Sequence, residues 1–417
     1  MFFIYNLILP VIALLLSPIA IIAFIIQPKF RAGFFEKIGF YKSTKSEKET
    51  VVFHAVSVGE VNAISTLVKR TRVEHPELRI ILTTTTRTGQ EVALKTLSNH
   101  TDFITYFPYD FCFSIFSFFK AFKPSKIIIA ETEIWPCLVS IASIMGVNVY
   151  IVNGRISPNS YKGYKRFSFF FKQILSKYEL ILMQSQSDAD RILKIGAPEG
   201  KTRVMGNLKF DISKDLSDEE ITSLKNELEV SNSRVFIAAS THSGEDEIVL
   251  EVYTKLKSIH GDIKLLIAPR HPQRYEQVES LTKSTGFEYG KRSNEDKFSL
   301  NEIIMLDTMG ELAKLFSIAH LAFIGGSFSN TGGHNPLEAL IWNKPVISGP
   351  TVFNFKDVYK LLVEKQAAII VDNKEQFFER ANELFSDESK YKKACDLASE
   401  VFDSSKGAVD YVLKTIF

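Results

Sequence analysis

Short apolar runs rich in β-branched residues alternate with longer helix-like stretches along this chain, and the alternation runs through twice. The first set of strand-like runs falls at 51–57, 79–86, 126–130, 147–152, 180–184 and 202–205. A polar helical stretch at 217–230 precedes a second set at 235–239, 263–268, 303–306, 321–324, 345–347 and 367–371. Amphipathic stretches such as 245–258 and 312–318 lie between these runs, and residues from 374 onward read as helix. Strands separated by helices form a parallel sheet covered on both faces, because every crossover must pass over a face. The pattern predicts an α/β fold of two Rossmann-like domains facing a cleft, joined within 206–232. Ligands of open α/β sheets bind beyond the carboxyl ends of the strands, so the cleft is the expected site. The 417 residues suffice for two such cores and a short extra segment.

The extra segment is the N-terminus. No charged residue occurs between Phe2 and Gln27. A helix of that length would span about 39 Å at 1.5 Å per residue, and a bilayer core needs about 30 Å. Pro10 and Pro18 would kink such a helix, which a membrane tolerates. A cleaved signal peptide is the competing reading, but no positive charge precedes the run and it is too long for a signal core. Lys29, Arg31, Lys37, Lys42 and Lys45 follow at once. Residues 1–27 are therefore expected to be a single-pass transmembrane anchor, with the rest of the chain on the cytoplasmic face of the membrane.

The formal net charge of +2 leaves no overall footprint for nucleic acid, and none is expected as a partner. Cys112, Cys137 and Cys395 form no CxxC pair, which fits a reducing compartment. His54, His242, His271 and His334 show no zinc spacing, so no metal is expected. Ser187-Asp188-Ala189-Asp190 contains a DxD that can hold a metal, but Ser187 reads better as a helix cap with acids in the first turn. Between Arg155 and Lys177 basic residues interleave with Phe167, Phe169, Phe170 and Phe171, and no acid occurs. Such a helix either sits on an anionic membrane or has one core face and one solvated face. Residues 111–119 carry the same ambiguity between core and membrane.

Several strand ends carry chemistry. His54-Ala-Val-Ser-Val-Gly-Glu60 places a carboxylate at the start of a helix. Glu60 is either an acid favoured there by the macrodipole or a general base for a sugar hydroxyl. The helix N-terminus is expected to lower its pKa, keeping it ionised but a weaker base. Glu131-Thr-Glu133-Ile-Trp135-Pro136 follows a buried strand, where two acids are hard to explain as packing, although a structural salt bridge is an alternative. Lys209, in Gly206–Asp211, either neutralises an anion or lies on the linker surface. Pro269-Arg270-His271-Pro272 closes a strand with a guanidinium suited to phosphate. Asp307-Thr-Met309-Gly310-Glu311 leads into a helix whose free N–H groups can bind phosphate. Gly325-Gly326-Ser327 and Gly332-Gly333-His334-Asn335-Pro336-Leu337-Glu338 let a ligand approach backbone closely.

Taken together, these stretches resemble the Kdo (3-deoxy-D-manno-octulosonic acid) transferases, inverting enzymes with the two-domain glycosyltransferase-B fold. The resemblance covers almost the whole chain. It runs through HAVSVGE, TTTTRTGQE (83–91), YFPYD (106–110), ETEIWP, NGRIS (153–157), GNLKFD, ASTHSGEDE (239–247), APRHPQR, DTMGEL and GGHNPLEAL to GPTVFNF (349–355). Two departures occur, at Arg87, where the family usually has proline, and at Cys137, where it often has asparagine. The resemblance implies Glu60 as general base, and Glu131 and Lys209 as transition-state stabilisers. It implies that Pro269, Arg270, Met309, Gly310, Glu311, Asn335, Pro336, Leu337 and Glu338 bind CMP. On this reading residues 28–205 form the acceptor domain and 206–417 the CMP-sugar domain. The donor is CMP-Kdo, the acceptor a lipid A precursor such as lipid IVA, and no metal or other cofactor takes part. The surroundings are the anionic lipids of a bacterial inner membrane. A UDP-sugar transferase or epimerase of the same fold is the alternative, and a non-catalytic membrane scaffold a more distant one.

Overall fold

The computed structural model describes residues 2–27, 31–42, 46–214, 216–294, 298 and 300–417, with the side chains of 2–4, 20 and 23 left aside. Lys29 and Lys45 lie outside the described residues. The chain divides into two compact units, residues 1–211 with 405–417, and residues 212–404.

The first unit is built on seven strands: β1 (Thr50–Ala55), β2 (Arg79–Thr84), β3 (Phe103–Tyr106), β4 (Lys126–Ala130), β5 (Asn148–Gly154), β6 (Leu180–Met183) and β7 (Thr202–Val204). Their order is β3-β2-β1-β4-β5-β6-β7, and every pairing is parallel. Alternation along the strands serves two cores. Val51, Phe53 and Ala55 enter one cluster and Val52 the other, which explains why Val51–Phe53 is an unbroken apolar run.

The second unit has β8 (Arg234–Thr241), β9 (Ile263–Pro269), β10 (Tyr289–Lys291), β11 (Ile303–Met305), β12 (Ala319–Ile324), β13 (Val346–Ser348) and β14 (Ala368–Ile370). Their order is β10-β11-β9-β8-β12-β13-β14, again all parallel. The two strands that the apolar pattern missed, β3 and β10, are both short and both at a sheet edge.

The expected boundary at 206 and the assignment of the C-terminus to the second domain need correction. Residues 206–211 and 405–417 belong to the first unit. In the terminal helix Ala408–Ile416, the stripe Ala408, Val409, Val412, Leu413 and Ile416 is buried in the first unit's core. A fully buried aliphatic side chain contributes roughly 1.5–3 kcal/mol, so this stripe outweighs chain continuity. Asp211 fixes the helix start, its two oxygens accepting from Gly407 N at 2.6 Å and Val409 N at 2.8 Å.

Phe2–Ile26 is one helix containing Pro10 and Pro18. Arg31 donates to the Phe24 carbonyl at 2.9 Å and to that of Ile25, satisfying acceptors that the helix end leaves open. Among the described residues no helix is long and apolar enough to cross a membrane. Cys112 and Cys137, separate in sequence, are neighbouring free thiols.

Candidate functional site

In the first sheet the strand order reverses between β1 and β4, which opens a crevice at their carboxyl ends. Glu60 and Glu131 follow those two strands. Glu60 lies in the first turn of the helix Val58–Glu74 and is buried. Its Oε2 accepts from Val56 N at 2.7 Å, and its Oε1 from the Ser57 hydroxyl at 3.1 Å. Burial pushes the carboxyl up to about 7 against those two hydrogen bonds, and the charges of Glu131 and Glu133 push the same way. The expected lowering by the helix N-terminus is therefore overturned. Desolvation and like charge outweigh one helix end, which is worth about 1 kcal/mol or less at most sites. A carboxylate poised near neutrality is a more effective base than an ordinary one.

Glu131 has φ 57°, a left-handed conformation, while its N–H still bonds Val152 O at 2.9 Å. Asn153 at the end of β5 also has φ 57°, and Ser240 near the end of β8 has φ 55°. Such conformations cost about 1–3 kcal/mol each for non-glycine residues and concentrate at functional sites. Glu133, quoted in the ETEIWP stretch without a role of its own, also has its carboxyl raised, by burial first and then by Glu131. Lys209 sits on the turn Leu208–Phe210, which packs on the Val58–Glu74 helix. Asn153 Oδ1 accepts from Leu208 N at 3.0 Å, and Asn207 Oδ1 from Lys209 N at 3.0 Å. The turn thus belongs to the first unit, the same unit that holds Glu60 and Glu131.

In the second unit the order reverses between β8 and β12. Pro269 ends β9 and Arg270 follows it, exposed, its N–H bonded to Thr241 O at 3.0 Å. Asn335 precedes the one-turn helix Leu337–Leu340, its Oδ1 accepting from Leu337 N at 3.1 Å and its Nδ2 donating to Glu338 Oε1 at 3.3 Å. Pro336 sits between them at the helix start. Burial raises the Glu338 carboxyl, while Asn335 and the Arg270 guanidinium pull the other way. Met309 is 68% exposed, and Gly310 takes φ 94°. The Glu311 carboxylate is held by Arg292 Nε at 2.9 Å. A cavity of about 340 Å³ joins two of the candidate segments, with Gly310, Lys314, Glu338 and Trp342 in its wall.

Two expectations about backbone donors change. The helix after Glu311 is a single turn, Leu312–Leu315, so its dipole is small. The N–H groups of Gly326, Ser327 and Phe328 are spent internally, donating to the buried Glu245 carboxylate at 2.7, 2.8 and 2.8 Å. Gly325 is required by packing, since a Cβ there would lie 2.5 Å from Ser240 O.

The DxD residues are also committed. Ser185, rather than Ser187, caps the helix Gln186–Ile195. Asp188 Oδ1 accepts from Ile156 N at 2.9 Å, and Asp190 Oδ1 from Gln186 Nε2 at 2.8 Å. Segment 155–177 has one core face and one solvated face. Phe170 and Phe171 pack on the core, while Phe167 and Phe169 are exposed beside Lys162, Lys165, Arg166 and Lys172. The helix Cys112–Phe122 divides likewise, burying Ile115, Phe118 and Phe119 and exposing Phe113 and Phe116.

The family model described as 3-deoxy-D-manno-octulosonic-acid transferase (kdotransferase) matches residues 32–212. A 3-deoxy-D-manno-octulosonic acid transferase of Haemophilus influenzae is 35% identical over 393 residues, covering 93% of this chain and 91% of that one. A bifunctional glycosyltransferase/methyltransferase of Fusobacterium nucleatum is 37% identical over 83% of this chain and 55% of its own length. Among solved structures, a UDP-GlcNAc 2-epimerase of Neisseria meningitidis bound to UDP-GlcNAc superposes with TM-score 0.60. It covers 88% of this chain and 99% of that one at 13% identity, a likeness of fold alone.

Proposed function

The chain belongs to the 3-deoxy-D-manno-octulosonic-acid transferase family of glycosyltransferases, and on that footing we propose that it moves Kdo from CMP-Kdo to a hydroxyl of a lipid A precursor by a single inverting displacement. The observation that carries this mechanism is Glu60, a buried carboxylate held near neutrality at the switch point of the first sheet. Glu60 takes the proton of the acceptor hydroxyl as its oxygen attacks the anomeric carbon. The bond from that carbon to the CMP phosphate breaks with its electron pair going to the phosphate. Glu131 and Lys209 stabilise the charge that develops. CMP is held by Pro269 and Arg270, by Met309, Gly310 and Glu311, and by Asn335, Pro336, Leu337 and Glu338, with its nucleoside in the cavity that Gly310 and Glu338 share. Arg270 meets the phosphate charge. The reaction needs no metal, a reading supported by the internal commitments of Asp188 and Asp190; activity should persist in excess EDTA.

The same reading places the enzyme at a bacterial inner membrane with both units on the cytoplasmic face. It is supported by the uncharged run from Phe2 to Gln27 and by outward-facing Leu14, Leu15, Ile19 and Ile26 on that helix. The exposed aromatic and basic residues of 162–172 suit contact with anionic lipid. A UDP-sugar epimerase is the competing reading that the fold alone allows. Titrating the purified protein with CMP and UDP separates them. CMP should bind and UDP should not; preferential binding of UDP would overturn the proposal.

A further inference from the structure

The strand-end loops at the second sheet's switch point bring together two histidines 92 residues apart. His242 follows β8, and His334 lies in the glycine-rich stretch after β12. Their Nε2 atoms are 2.9 Å apart, and the ring planes are inclined by only 11°. Both backbones are fixed. His242 N donates to Glu245 at 2.8 Å, and His334 N to Gly325 O at 3.1 Å. Gly326 lets the His334 ring close down, since a Cβ there would lie 3.0 Å from its Cδ2. The rings are thus held in register by a network that includes the buried Glu245.

An Nε2···Nε2 hydrogen bond constrains protonation. One imidazole must carry the proton on Nε2, and its partner must accept, with its own proton on Nδ1. The donor's Nδ1 is then bare. One added proton there converts the bond into a charge-assisted N–H⁺···N pair, about twice as strong as a neutral one. In the unliganded protein the surroundings oppose that proton. The groups facing His242 are Glu245, His271, Arg274 and Arg270, and those facing His334 are Arg270, His271 and His242 itself. Glu245 alone is anionic, and it is already engaged by four N–H groups. Burial and these cations hold both imidazoles neutral, His334 down to about 4. A phosphate bound beside Arg270 would reverse that field.

We propose that the His242–His334 pair is a proton-holding element of the donor site, taking up one proton as the phosphate of a cytidine nucleotide binds and giving it to the phosphate oxygen when the bond to the sugar breaks. This rests on the donor site proposed above. The proton balance closes. The acceptor hydroxyl loses its proton to Glu60, the departing oxygen receives one from the imidazolium, and solvent restores both groups. A general acid here also supplies part of the phosphate neutralisation that backbone donors, spent on Glu245, do not.

Calorimetric titration of the intact protein with CMP at pH 8, in buffers of different ionisation enthalpy, tests this. At that pH free CMP is a dianion, since a phosphate monoester has its second pKa near about 6. The expected result is uptake of about one proton per CMP, with affinity falling up to about tenfold per pH unit between the pKa of the free pair and that of the liganded pair. His334→Asn and His242→Asn should bind CMP more weakly and without uptake. CMP binding to the wild type with no buffer-dependent heat overturns the proton-holding role, as does undiminished uptake in both variants. Absence of CMP binding altogether would instead overturn the donor-site reading.

Discussion

Tyr5, in the N-terminal helix, donates a 2.9 Å hydrogen bond to the Asp110 carboxylate, whose oxygens also accept from Cys137 N and Leu138 N at 2.9 Å each. One buried side chain thus ties the N-terminal helix to the start of the helix Pro136–Met145, directly after Glu131–Trp135. The first turn of the N-terminal helix is thereby joined to the segment that follows a strand end carrying two acids.

Burial holds the Asp110 carboxyl up at about 6, against the pull of Cys137 N, Leu138 N and Tyr5. A folded pKa above the unfolded one means that the folded state binds the extra proton. The stability that Asp110 contributes is therefore full below about 4 and is lost as pH rises through about 6. Urea unfolding from pH 4 to 7 should show this decline in the wild type and not in Asp110→Asn. Tyr5→Phe should cost roughly 1.5–3 kcal/mol at neutral pH, the range for a bond to a charged group. An Asp110→Asn profile identical to the wild type would remove Asp110 as the source.

Glu60→Gln should keep the fold, because an amide oxygen can still accept from Val56 N. Turnover should fall on the order of a hundredfold to ten-thousandfold. In the wild type, kcat/KM should rise with pH up to about 7 and then level, since the base must be ionised. Arg270→Ala should act differently. Being exposed, its loss should weaken CMP binding by only about tenfold, the low end for a charge-assisted contact. Near wild-type turnover in Glu60→Gln would move the base elsewhere, with Glu131 the next candidate.

The C-terminal helix predicts an unusual effect of truncation. Leu413→Ala should cost about 2–5 kcal/mol, as for other buried leucines. The loss should appear in the unit containing Glu60, although residue 413 follows the whole second unit in sequence. Removing 405–417 should lower the unfolding midpoint of the first unit while leaving CMP protection of the second intact. Loss of CMP protection with an unchanged first unit would contradict the assignment of this helix.

Much of this architecture was legible in the sequence because parallel strands buried on both faces leave long apolar runs, as at Ile127–Ile129 and Leu265–Ile267. Strands β3 (Phe-Ile-Thr-Tyr) and β10 (Tyr-Gly-Lys) were not, since neither has three aliphatic residues in succession. The position of Glu60 was readable from a strand end and a glycine, but the direction of its pKa was not. That direction depends on burial and on Glu131 and Glu133, which approach it only in the fold. The glycine-rich stretch was misread in part, because Glu245, some 80 residues earlier, takes up its N–H groups. His242 and His334 were visible as residues, whereas their pairing is a tertiary fact that spacing alone cannot carry.

The most direct test of the account is to incubate purified full-length protein with CMP-Kdo and a tetra-acylated lipid A precursor, then weigh the lipid. The account predicts a mass gain of one or more Kdo residues with matching release of CMP, abolished in Glu60→Gln and undiminished by EDTA. An unchanged lipid mass with folded, CMP-binding protein, or turnover of a UDP-sugar in its place, would contradict it.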